Sequence, residues 1–213
     1  PQIKAIKFSP DGKVVITGGV QNTCYSCGQL DEWQVKDSLL LKTITNSLMG
    51  VTNDIDLSAN GQTIISGNGD VECTEGCYIV RSGQYSFALN GTLKKFIDSG
   101  DIIYSIRYSP DNTVIAVGTG QNNTGVIRLY DSSYNLLRIL PGHQYETSGL
   151  AFTPNGQYLV SGGDDGLVYV WDYKTGALIR TMVHGSYLDG GGFGTVEVSP
   201  DGKYMSGLGW GSY

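Results

Sequence analysis

The chain has 213 residues, a formal net charge of −6 and only 16% charged residues, with 31 glycines and 14 tyrosines. That length supports a sizeable core, and the sequence holds no run of 18 apolar residues that could cross a bilayer as a helix. An acidic surface this poor in charge, against about 25% in an average globular domain, argues against nucleic-acid partners, which need basic patches, and against membrane insertion or an anionic membrane surface.

Residues 1–45 read as four short strands, IKAIKFS, KVVITGG, QLDEWQV and LLLKTI. The loop VQNTCYSCG separates the second from the third and carries Cys24 and Cys27 in C-x-x-C spacing. Residues 46–97 repeat the pattern with TNDIDLS, TIISGN, CYIVRSG and a fourth strand in either YSFAL or LKKFI. Cys73 and Cys77 occupy the equivalent loop. Residues 98–140 give IIYSIRYS, VIAVGTG, GVIRLYD and LLRIL, and residues 141–183 give LAF, YLVSGG, LVYVWD and ALIRTMV. Residues 184–213 supply only a Gly-rich approach followed by TVEVS and KYMSGLG. Each strand is rich in β-branched and aromatic residues, and each is bounded by Pro, Asn, Asp or Gly.

A turn tetrapeptide between the first two strands sets the period. It occurs as Ser9-Pro10-Asp11-Gly12, Ser58-Ala59-Asn60-Gly61, Ser109-Pro110-Asp111-Asn112, Thr153-Pro154-Asn155-Gly156 and Ser199-Pro200-Asp201-Gly202. The intervals are 49, 51, 44 and 46 residues. Pro presets the first angle of a type I turn, Asp or Asn bonds its own backbone, and Gly supplies the positive φ that returns the chain into a hairpin. Four antiparallel strands cannot bury both faces alone, so such units stack. A period near 40–50 residues with four strands per unit predicts an all-β fold of β-propeller blades. The chain reads as four blades (1–45, 46–97, 98–140 and 141–183) and half of a fifth (184–213), part of one propeller and a piece of a longer chain. Seven or eight such blades need roughly 300–400 residues.

Gly142-His143, Ser161-Gly162, Asp165-Gly166 and Trp171-Asp172 together resemble a WD repeat closely. The first blade shows it more faintly in Thr17-Gly18-Gly19 and Trp33-Gln34, and the third in Tyr130-Asp131; the second has no evident counterpart in its third strand. The resemblance implies a structural hydrogen-bond network of His143, Ser161, Asp165 and Trp171 that locks the fourth blade. The competing reading of His143 is a general base.

All four cysteines fall in two equivalent loops, and three arrangements compete. Two local disulfides, Cys24–Cys27 and Cys73–Cys77, would pin hairpin ends in an oxidising compartment. A four-thiolate zinc site needs both loops on one face. Free thiols are the third. Two sequons, at Asn90 and Asn122, lie in predicted loops. Paired cysteines, sequons and low charge point to an extracellular or cell-surface protein, with cytoplasm or cilium as the alternative. The acids Asp164, Asp165 and Asp189 read as turn residues rather than calcium ligands. Of the two histidines, His143 and His184, neither stands in a recognisable catalytic motif, and no Gly-rich segment opens a helix to cradle phosphate. No cofactor or metal is expected. The reading is therefore a non-enzymatic interaction or structural scaffold whose partners are other proteins or copies of itself. The loops bearing Tyr25 and Tyr78 are its candidate contact surface. The alternative is a ligand-binding or enzymatic propeller with its site in the central channel.

Overall fold

The computed structural model describes residues 2–21, 24–45, 49–73, 77–121, 124–183 and 192–210; of residues 24–26, 71–73, 77–81, 121 and 210 it describes only the backbone. Every regular element among them is a β-strand. β1 (Gln2–Phe8), β2 (Val14–Gln21), β3 (Cys24–Gln34) and β4 (Leu40–Ile44) form one antiparallel sheet in chain order. β5 (Thr52–Leu57), β6 (Thr63–Cys73), β7 (Cys77–Ala88) and β8 (Leu93–Ile97) form the second. β9 (Ile102–Tyr108), β10 (Val114–Gln121), β11 (Thr124–Asp131) and β12 (Leu136–His143) form the third. β13 (Thr147–Phe152), β14 (Leu159–Gly163), β15 (Leu167–Asp172) and β16 (Ala177–Val183) form the fourth, and β17 (Gly192–Val198) pairs with β18 (Met205–Trp210). The chain divides into two compact units, Pro1–Ile106 and Arg107–Tyr213.

The five tetrapeptides build one turn five times. The Ser or Thr hydroxyl donates to the Asp or Asn side chain two residues on, at 2.7 Å for Ser9–Asp11, 2.7 Å for Ser58–Asn60, 2.6 Å for Ser109–Asp111, 2.8 Å for Thr153–Asn155 and 2.6 Å for Ser199–Asp201. The same carboxylate or amide oxygen accepts the next backbone N–H beyond the turn, as from Lys13 to Asp11 and Thr113 to Asp111. The fourth residue has φ between 57° and 71°, with Asn112 standing in once for Gly. These hydrogen bonds hold the carboxyls of Asp11 and Asp201 below the ordinary value and that of Asp111 at about 2; in each the Ser hydroxyl is the largest cause. Each such group binds its proton more weakly folded than unfolded. Its contribution is therefore complete above the unfolded value of 3.8 and is lost at lower pH, for Asp111 as pH falls toward 2. Far-ultraviolet circular dichroism against pH should stay level down to about pH 4 and fall below it. Loss centred above about pH 5 would contradict this origin.

In the first unit the core lies between two sheets. Ala5, Ile16, Leu30 and Ile44 pack against Met49, Ile55, Leu57, Ile64, Tyr85 and Phe87. Close approach is needed where the first strand of one sheet crosses the second strand of the sheet before it. A Cβ on Gly18 would sit 2.6 Å from Thr52 Cγ2, and one on Gly162 would sit 2.7 Å from Val196 Cγ1. Gly67 meets Ile103 and Gly118 meets Thr147 in the same way. This crossing is the physical reason for the glycine that recurs at this position. Polar clamps accompany it in the first unit. Asn53 Nδ2 donates to the carbonyls of Gly69 and Ile103, Asp54 accepts from Ser105 Oγ and Ile106 N, and Lys7 pairs with Asp56 at 2.8 Å. In the second unit one cluster gathers Ala116, Ile127, Leu129, Leu140, Leu150 and Leu159 around Tyr169, Trp171 and Tyr173. Another joins Ala151, Val160 and Val168 to Phe193 and Val196.

Four strands differ from expectation. Cys24 and Cys27 lie at the start of β3, and Cys73 and Cys77 end β6 and begin β7, so all four are on strands rather than in loops. β7 runs through both CYIVRSG and YSFA, leaving LKKFI as the fourth strand of its sheet. The hairpin of β6 and β7 stays in register from Thr63↔Ala88 to Cys73↔Cys77 across one bulge, beyond where β5 stops pairing at Asn68. β12 continues past LLRIL through Pro141 to His143. Proline is tolerated there because β12 is an outermost strand and needs no N–H on its free side.

Candidate functional site

The residues expected to lock the fourth sheet come together at the meeting of β12, β14 and β15. His143 ends β12, Ser161 lies mid-β14, Asp165 is in the β14–β15 turn and Trp171 is on β15. Trp171 Nε1–H donates to Ser161 Oγ at 3.0 Å. His143 Nε2 lies 2.9 Å from the same Oγ, and Nδ1 lies 3.0 and 3.2 Å from the two oxygens of Asp165. An indole only donates and a carboxylate only accepts, so the chain has one consistent direction. Nδ1 carries the imidazole proton toward Asp165, and Nε2 accepts from the Ser161 hydroxyl, which accepts from Trp171.

Asp165 is tied further by the backbone N–H groups of Gln144 and Leu167. Burial pushes its carboxyl up, but the hydrogen bond from His143 and those from the two backbone donors outweigh that and hold it below the ordinary value. Its neighbour Asp164 goes the other way: burial dominates and raises it, offset in part by the Ser148 hydroxyl at 2.6 Å. The ring of His143 fits only because position 163 is Gly, where a Cβ would run into the imidazole.

Serine, histidine and aspartate in this order imitate a hydrolytic triad, and accessibility separates the two. Ser161 is 0% exposed and the His143 side chain 1%. A nucleophile must meet its substrate, and this oxygen already accepts the indole proton from behind. The arrangement locks β12 to β14 and β15; it is not laid out for acyl transfer.

The same register positions in the other sheets show how the lock varies. Thr17 pairs with Asp31 as Ser161 pairs with Tyr169, and Trp33 Nε1 donates to Thr17 Oγ1 at 3.1 Å. In the second sheet Ser66 holds the Ser161 position and Phe87 the Trp171 position. Phe has no N–H, and Ser66 Oγ instead donates to Asn68 Oδ1 at 2.8 Å. Asn68 pairs with Thr52 as Gly163 pairs with Thr147. Its own amide, donating to Gly50 O and Thr52 Oγ1, replaces the imidazole. In the third sheet Val117 and Tyr130 take the two positions. Phe87 and Asn68 are functional counterparts that the sequence reading missed. The signal was the Ser66-Gly67 pair, which fixes where the aromatic must fall once the long β6–β7 hairpin is allowed for.

The model for the WD domain, G-beta repeat, matches residues 1–25, 90–131 and 134–172, the last covering the whole lock. An uncharacterized WD repeat-containing protein, L84, of Acanthamoeba polyphaga mimivirus is 31% identical over 90 residues, covering 42% of this chain and 68% of that protein. The chain belongs to the WD-repeat family. Its four-stranded sheets are blades of a WD-type β-propeller. Two further relatives are more distant. The nuclear distribution protein nudF of Emericella nidulans is 27% identical over 169 residues, 73% of this chain and 37% of that protein. The guanine nucleotide-binding protein subunit beta of Zea mays is 24% identical over 180 residues, 83% of this chain and 46% of that protein. The WD chain thus spans less than half the length of these two. The stretch between the matched segments, residues 26–89, contains the long β6–β7 hairpin.

The remaining expected sites are placed as follows. Asn90 sits on an exposed turn, its side-chain oxygen accepting from Thr92 N. Asn122, Asp189 and His184 lie outside the described residues, as do the side chains of Cys24, Cys73, Cys77, Tyr25 and Tyr78. Among the described residues no cysteine is free. No group of three or more potential metal ligands occurs among the described residues.

Proposed function

We propose that this WD-repeat chain is a non-enzymatic scaffold that binds other proteins or copies of itself in an extracellular or cell-surface assembly. WD-repeat proteins typically mediate protein–protein interaction, and the triad-like residues here are consumed by the lock. The observation that carries the compartment is the cysteine arrangement. Cys73 and Cys77 are direct cross-strand partners, and antiparallel partners keep Cα atoms about 4.5–5.5 Å apart, inside the range a disulfide spans. With no cysteine free among the described residues, this spacing supports two stapled hairpin ends, Cys24–Cys27 and Cys73–Cys77. The exposed turn at Asn90 supports a glycan there. A second reading, an intracellular scaffold of the cytoplasm or cilium, draws on the relatives, which include a nuclear distribution protein and a guanine nucleotide-binding protein subunit.

Unreduced peptide mapping by mass spectrometry, on protein from its native source, separates the two. The expected map has Cys24 linked to Cys27, Cys73 linked to Cys77, and sugar on Asn90 or Asn122. Free thiols and bare asparagines would transfer the chain to the intracellular reading.

A further inference from the structure

We propose that Gln84 and Ser86, on β7 of the second blade, hold buried water. Gln84 is 3% exposed and Ser86 1%. Neither Nε2 nor Oε1 of Gln84 has a hydrogen-bond partner among the described residues, and neither has Oγ of Ser86. Leaving a buried donor or acceptor unpaired is costly, so such groups in folded proteins are paired with protein or with ordered water.

The other sheets show that this position does not call for a polar residue. Gln84 pairs with the crossing glycine Gly67 of β6. The residue opposite the same glycine is Leu30 in the first sheet, Ile127 in the third and Val168 in the fourth, all buried. Each of those is satisfied by packing alone. In the second sheet an amide stands there instead, and a hydroxyl follows two residues on. Alternation along the strand puts Gln84 and Ser86 on one face of β7, and Tyr85 and Phe87 on the other.

The neighbouring strands do not serve the pair. On β6, Gln84 and Ser86 stand opposite Gly67 and Ile65, neither of which has a polar side chain. On β8 they stand opposite Ile97 and Lys95, and Lys95 is exposed. The chemistry and size of the site then name the ligand. An amide and a hydroxyl offer donors and acceptors but no charge, which suits a small neutral molecule that both donates and accepts. Burial this complete admits nothing larger than water. The spacing fits as well. Alternate residues on one face of a strand lie about 6.6–6.8 Å apart, and two hydrogen bonds through one water span up to about 6 Å. The flexible Gln84 side chain covers the remainder. One water that accepts from Gln84 Nε2 and donates to Ser86 Oγ joins the two, and a buried water makes about three such bonds.

Water itself is the probe. In the isotope-labelled full chain, the Gln84 side-chain amide protons should show a direct nuclear Overhauser effect to water, negative in sign as long-lived internal water gives. A positive effect, the mark of fleeting surface water, or no effect at all would overturn the proposal. Denaturant unfolding is an independent readout. Gln84→Leu removes one partner of the water and leaves Ser86 Oγ poorly served, so the folded-to-unfolded ratio should fall at least about fivefold. Gln84→Leu/Ser86→Ala removes the whole site and restores the apolar pattern of the other sheets. Its ratio should return to within about threefold of the parent chain. A Gln84→Leu chain more stable than the parent would show that the groups are simply unpaired and would sink the proposal. Losses that add in the double variant would sink it too.

Discussion

Replacing His143 with Ala is expected to lower the stability of the second unit by about 3 kcal/mol, one of the largest single-residue losses the chain can show. Three costs coincide. The ring fills the space left by Gly163 and packs on Tyr169 with centroids 4.5 Å apart, so removing it leaves a buried void. Asp165 loses its imidazole donor with its side chain only 5% exposed, and the Ser161 hydroxyl loses its acceptor at a position of 0% exposure. An unmade buried hydrogen bond costs about 1–3 kcal/mol, which makes the sum large against a total of about 5–15 kcal/mol. Asp165→Asn breaks the same chain from its other end. Because the members act as a unit, the double variant should cost much less than the two single changes added. Urea unfolding followed by tryptophan fluorescence measures all three. A loss under about 0.5 kcal/mol for His143→Ala, or strict additivity with Asp165→Asn, would remove the network as the lock of this blade.

That prediction could be written from the sequence because the fourth blade keeps every member of the motif. Gly, His, Ser, Asp and Trp each have a geometric duty there, and the spacing between them is short. The turns were legible for the same reason: Ser-Pro-Asp-Gly makes all its hydrogen bonds within six residues, so nothing distant can alter them. The second blade was not legible. Its lock is carried by Ser66, Asn68 and Phe87, and the residues between Asn68 and Phe87 include a two-stranded extension that only cross-strand register reveals. Asn68 replaces a histidine from a different strand with an amide on its own strand, a substitution of geometry rather than of residue type. The extension of β12 through Pro141 was hidden too, because proline reads as a terminator unless the strand is known to be outermost.

The second large effect belongs to the first unit. Phe87→Ala is expected to cost about 4 kcal/mol, within the range for removing a buried aromatic. Phe87 is 1% exposed, stacks nearly parallel to Tyr85 at 6.2 Å, and belongs to the cluster that joins β5, β6 and β7 to Ala5, Ile16, Leu30 and Ile44. It holds the register position that Trp171 holds in the fourth blade, but it has no polar handle, so its whole contribution is packing. Ser66 does not depend on it, being bonded to Asn68. The loss should therefore track cavity size: Phe87→Leu should recover more than half of the stability that Phe87→Ala loses. Phe96→Ala is the control. Phe96 also touches Tyr85, at 4.6 Å between centroids, but it stands 37% exposed on the outermost strand, and its removal should cost well under half as much. Denaturant midpoints for the three variants decide the matter. If Phe96→Ala proved as costly as Phe87→Ala, the core of the second blade would lie at its outer edge rather than against the first blade.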